Sequence, residues 1–123
     1  MGVLGVNHVA FRTPNPERLR RFYVELTGGD ELVAAHDPVR VGGTLLVFFH
    51  SQAAGAQPDD PDELAFDVDA PGFVDVLARA ERLGALIRPP AEHTPWSKGF
   101  LVRDPDGRRI EFVHQDHSVY WRE

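Results

Sequence analysis

Three side chains in this sequence could hold a divalent cation: His8, Glu63 and Glu111. Each opens or interrupts a run that otherwise reads as strand: HVAFRT, ELAFDVD and RRIEFVH. Glu111 is the most telling, because it sits between Ile110 and Phe112 just after the turn DPDG (104–107). A mid-strand carboxylate is seldom buried without a partner. One imidazole and two carboxylates form a hard-to-borderline donor set that Mn, Fe(II), Ni, Co, Zn or Mg would accept. Such an ion would neutralise two carboxylates whose burial would otherwise be costly, and would keep positions open for substrate or water.

The elements that must position these residues follow from periodicity. VNHVAFRT (6–13) alternates and predicts a strand. Asn15-Pro16-Glu17 opens a helix, with Leu19, Phe22, Tyr23 and Leu26 on one apolar stripe and Gly28-Gly29 as its stop. Residues 30–50 read as short strands broken at Asp37-Pro38 and Gly42-Gly43. The linker SQAAGAQPDDPD (51–62) follows, and then the pattern restarts. ELAFDVD (63–69) is a strand, and Pro71 opens a helix with Phe73, Val76, Leu77, Ala80 and Leu83 on one face, ending at Gly84. ALIRP (85–89), GFLVRD (99–104) and RRIEFVH (108–114) are the closing strands.

The chain therefore repeats itself. HVAFRTPNP (8–16) aligns with ELAFDVDAP (63–71), and TLLVFFHS (44–51) with RRIEFVHQ (108–115). His8 then corresponds to Glu63, and Val47 to Glu111. In each strand the strongly apolar face must cover a helix. By the two-residue alternation of strands, His8, Val47, Glu63 and Glu111 all fall on the opposite face. If the sheet curls, that face lines a cavity. Pairing directly across DPDG adds Phe100 to it, and Val47, Phe49 and Phe100 become its apolar wall. Arg109 is adjacent. Trp96 and Lys98, in the segment EHTPWSKGF (92–100), read as a loop over its mouth, with His93 as a candidate general base. Arg109 or Lys98 would be the ordinary salt-bridge partner of Glu111.

Composition limits the alternatives. The chain has 123 residues, a net charge of −6 and no cysteine. The charge argues against a nucleic-acid surface. The lack of cysteine excludes disulfides, thiolate catalysis and Cys-ligated zinc. No apolar run approaches a membrane span, and MGVLGVNHVAF has no basic leader segment, so a cytoplasmic protein is expected.

Three segments, NHVAFRTPNPERLRRFY, ELAFDVDAPG and FLVRDPDGRRIEF, together resemble the vicinal-oxygen-chelate superfamily. Its members include glyoxalase I, methylmalonyl-CoA epimerase, extradiol dioxygenases, fosfomycin-resistance enzymes and bleomycin-resistance proteins. The resemblance spans essentially the whole chain. It implies an α+β fold of two βαβββ modules forming a curved, open barrel-like sheet with helices on the outer face. The modules would be 1–50 and 63–116, joined by the linker 51–62 and followed by a tail, 117–123, in a single domain. It further implies that His8 and Glu111 are first- and last-strand metal ligands. Glu63 falls where the family usually has His, and Val47 where glyoxalase-like members have a fourth ligand. A His/Glu/Glu set departs from the two-His set of extradiol dioxygenases. The resemblance thus favours a metal-dependent isomerase or lyase acting on a small oxygenated molecule, with Glu111 and Glu63 catalytic, in a homodimer. The alternative it implies is a metal-free binding protein of the antibiotic-sequestering type.

Overall fold

The computed structural model describes residues 2–52, 64–116 and 118. Glu63 and residues 53–62 of the linker lie outside them, as does most of the tail. The chain divides into two compact units, Met1–Gly55 and Ala56–Glu123.

The first unit holds β1 (His8–Thr13), α1 (Pro16–Thr27), β2 (Asp30–Glu31), β3 (Val39–Val41) and β4 (Thr44–His50) in a sheet of order β1-β4-β3-β2. β1 and β4 are parallel, and the other pairs are antiparallel. The expected cap forms: Asn15 Oδ1 accepts from the Arg18 N–H at 3.0 Å, leaving Pro16 at a position where no donor is needed. Leu19, Tyr23 and Leu26 are fully buried. Phe11 of β1 stacks on Tyr23 and on Phe48 of β4 at centroid distances of 5.0 and 5.6 Å. These contacts show that Phe11 and Phe48 face the helix, leaving His8, Ala10 and Val47 to the other side.

The second unit repeats the arrangement. It holds β5 (Leu64–Asp67), α2 (Ala70–Arg82), β6 (Leu86–Thr94), β7 (Ser97–Arg103) and β8 (Arg109–Gln115), ordered β5-β8-β7-β6. Asp69 caps α2 by accepting from the Gly72 N–H at 2.7 Å. Phe100 packs edge-on to Phe73 at 5.1 Å and stacks on Phe112 at 5.4 Å, so the core between α2 and the sheet is aromatic. The internal repeat holds in register. Ala10 lies beside Val47 in the first unit, and Ala65 beside Glu111 in the second. The fold is α+β, with two βαβββ modules.

Two elements differ from their expected form. The strand expected at 85–89 runs on through Pro89 and Pro90 to Thr94, and only Pro95-Trp96 separate it from β7. Proline ordinarily ends a strand because it lacks the N–H of the ladder. Here β6 is the edge of its sheet, and its pairing with β7 shifts register between Arg88 and Ala91, which accommodates both prolines. The segment 92–100 is therefore a strand hairpin and not a loop over a mouth.

The DPDG hairpin is one residue longer than direct pairing requires. The Asp104 N–H donates to Arg108 O and the Gly107 N–H to Asp104 O, both at 2.9 Å. Three residues, Pro105 to Gly107, then form the loop. Gly107 takes φ of 89°, a left-handed value that closes a type I turn with a bulge. As a result Arg103 faces Arg109, Leu101 faces Glu111 and Phe100 faces Phe112. A slip of one residue moves every side chain of a strand to the other face. Phe100 and Lys98 thereby leave the face assigned to them from sequence.

Candidate functional site

Glu111 occupies the middle of β8 and is 8% exposed. A single row runs across the sheet through Ala65, Glu111, Leu101 and Arg88. Its carboxylate meets two groups from β6. His93 Nε2 lies 3.1 Å from Glu111 Oε2, and Arg88 Nη2 lies 3.5 Å from the same oxygen. Arg88 and His93 are half exposed, so a buried carboxylate is joined to solvent-facing donors. Gly99 of β7 makes this approach possible. A Cβ there would stand 3.0 Å from His93 Nε2, 3.1 Å from Phe112 O and 3.3 Å from Glu111 Oε2.

The expected partners of Glu111 are thus replaced. Neither Arg109 nor Lys98 pairs with it; Arg88 and His93 do. His93 carries out its contact from a strand. Sequence reasoning missed His93 as a partner because the strand was ended at Pro89, short of it; Arg88 lay within the expected strand, and its partner follows from the register of β6 against β7.

The other expected residues divide among several environments. Arg109 is exposed and, two residues from Glu111 along β8, lies on the same face. Phe100 is fully buried in the α2-facing core, so it forms no wall of a cavity on the Glu111 face. Lys98 also belongs to the α2 side, where its Nζ stands 4.6 Å from the centre of the Phe73 ring. Trp96, 39% exposed at the hairpin tip, shares with Lys98 an open cleft of about 780 Å³. Asp67, His114 and Asp116 also line that cleft, and it does not include Glu111. In the first unit Val47 is buried beside Ala10, and Phe49 meets the His36 ring edge-on at 4.8 Å. His8 is exposed at the start of β1, with Nδ1 2.8 Å from Asn7 Oδ1.

The donor set around Glu111 sets the test for a metal. A guanidinium has no lone pair to ligate with, and its charge opposes a cation at the same oxygen. Among the described residues no three His, Asp or Glu side chains gather into a ligand group. These residues alone therefore do not form a metal centre. A metal on Glu111 needs Arg88 to let go of the carboxylate, and needs further ligands.

With this geometry in place, the chain can be compared with known proteins. The sequence profile of the Glyoxalase/Bleomycin resistance protein/Dioxygenase superfamily matches residues 5–112, and the chain belongs to that superfamily. No curated protein matches it. Among solved structures, the glyoxylase/bleomycin resistance protein/dioxygenase domain from Frankia sp. EAN1pec is similar over 98% of this chain and 100% of its own, with a TM-score of 0.77 and 21% identity. The fosfomycin resistance protein FosX from Mesorhizobium loti is similar over 95% and 97%, with a TM-score of 0.73 and 19% identity. Oxidase ChaP-H2 is similar over 94% and 96%, with a TM-score of 0.72 and 24% identity. At these identities the likeness establishes the fold. No helix among the described residues is long and apolar enough to cross a membrane.

Proposed function

We propose that the protein acts on a small oxygenated organic molecule at the Glu111 face of its second unit, as an isomerase or lyase. The observation that supports this reading is Glu111 itself: a carboxylate 8% exposed in mid-strand, beside a half-exposed imidazole and guanidinium. Such a carboxylate can take a proton from carbon next to a carbonyl. Arg88 and His93 are donors that could hold the oxyanion developing at that carbonyl. In its fuller form the reading adds a divalent cation on His8, Glu63 and Glu111, which would supply Lewis-acid polarisation. Glu63 would then be catalytic with Glu111. A cytoplasmic homodimer belongs to the same proposal, and light scattering on the purified chain tests its oligomeric part.

The experiment is elemental analysis of the untagged protein beside Glu111→Gln, with turnover of candidate substrates measured on both. About one metal per site in the wild type and none in the variant supports the cation. A variant with full turnover overturns the reading.

A second reading is metal-free sequestration of a small molecule. It is favoured by the contacts at Glu111, since the Arg88 guanidinium offsets the buried charge and the His93 ring contacts the same oxygen. It predicts ligand binding that a chelator leaves unchanged.

A further inference from the structure

Next to the row holding Glu111 stands a second row on the same face. Arg109 of β8 lies directly opposite Arg103 of β7. The two-residue alternation places Arg109 with Glu111, and Arg103 with Leu101, on one side of the sheet. Both arginines are exposed. Like charges directly opposed across an antiparallel pair repel and weaken the sheet. Arg103 turns one N–H to Gly107 O at 3.0 Å. The Arg109 side chain makes no hydrogen bond or ion pair among the described residues. Arg88 of β6 lies in the adjoining row, opposite Leu101, which is two residues along β7 from Arg103. On this face Arg88 contacts the carboxylate at 3.5 Å, and Arg103 and Arg109 stand in the neighbouring row.

This is not a chain short of acidic partners. Its net charge is −6. Several of its other arginines are paired: Arg20 and Arg21 with Glu17, Arg40 with Asp30, and Arg108 with Asp104 and Asp106. At the turn end of the Glu111 face two arginines instead confront each other. An oxyanion between them would remove the repulsion and accept from both forks, the geometry that suits carboxylate and phosphate.

We propose that Arg103 and Arg109 form a subsite for the anionic group of the ligand of the Glu111 face. The ligand is then an organic acid or a phosphate ester, with its reacting carbon a few bonds from the anion. This rests on the reading of that face as the ligand face; its test reads anion binding, and turnover of E111Q serves only to tell the two readings apart.

The test is thermal unfolding and calorimetric titration with inorganic phosphate and with malonate, against chloride at matched ionic strength. The chains compared are wild type, Arg109→Gln, Arg103→Gln, Arg109→Lys and Glu111→Gln. Either probe should raise the melting temperature of the wild type beyond chloride. R109Q should melt higher than wild type without anion, because the repulsion is gone, and should bind the probe about tenfold more weakly. R109K should keep most of the binding. R103Q supplies the same comparison should R109Q fold poorly. A preference for phosphate over malonate assigns a phosphate ester, and the reverse a carboxylic acid. No stabilisation beyond chloride, or an unchanged response in both glutamine variants, overturns the subsite. If E111Q keeps both turnover and anion binding, the Glu111 reading fails while the subsite stands.

Discussion

The turn residue Asp104 helps set which side chains of β7 share the Glu111 face, and its removal tests that directly. Its side chain is fully buried. Oδ1 accepts from the backbone N–H of Asp106 at 2.9 Å and of Arg108 at 3.0 Å, and Oδ2 lies 3.5 Å from the Arg108 guanidinium. Asp104→Ala deletes both charge-assisted bonds and leaves two turn N–H groups to find water. At about 1.5 kcal/mol for each bond lost, the low end for a charged acceptor, the cost is about 3 kcal/mol. For a cooperative unit of this size, 1 kcal/mol lowers the melting temperature by roughly 4–8 °C, so the loss should exceed about 10 °C. Asp104→Asn keeps an acceptor oxygen and should lose about half as much. The assay is thermal unfolding by circular dichroism, with cross-strand nuclear Overhauser effects between Phe100 and Phe112 as the report on register. A D104A protein melting within about 2 °C of wild type, with those contacts intact, would refute the reasoning.

Two further substitutions separate the groups on the two faces. Gly99→Ala places a methyl 3.0 Å from His93 Nε2 and 3.3 Å from Glu111 Oε2. It should cost about 1–3 kcal/mol by overpacking, and in a wild-type/variant pair of nitrogen-15 spectra the His93 ring signals should move as its contact with Glu111 opens. Lys98→Met removes a cation from the Phe73 ring but retains the packed stem. It should destabilise by less than about 1 kcal/mol in urea titration, and leave any ligand binding at the Glu111 face unchanged.

Much of this architecture is legible from local signals. Asn15, Pro16 and Gly28 bound α1, and Asp69 and Pro71 open α2, because capping is chemistry within a few residues. The repeat was legible too. The paired registers Ala10–Val47 and Ala65–Glu111 recur because the same two parallel strands flank the same helix in each unit. Glu111 stood out for a similar reason: a carboxylate between two buried apolar residues needs a partner wherever the chain places it.

Who that partner is could not be read from spacing. His93 reaches Glu111 because β6 continues past two prolines, which an edge strand tolerates where a central one would not, and Arg88 reaches it because the register of β6 on β7 sets it opposite Leu101. Likewise Phe100 and Lys98 moved to the α2 side because the DPDG loop contains one more residue than direct pairing counts. The amino-acid sequence by itself determined the two modules, their helices and the buried mid-strand carboxylate, Glu111. Only the tertiary structure decided which side chains share its face. Strand partners come from segments far apart in the chain, and a register of period two inverts with a single residue.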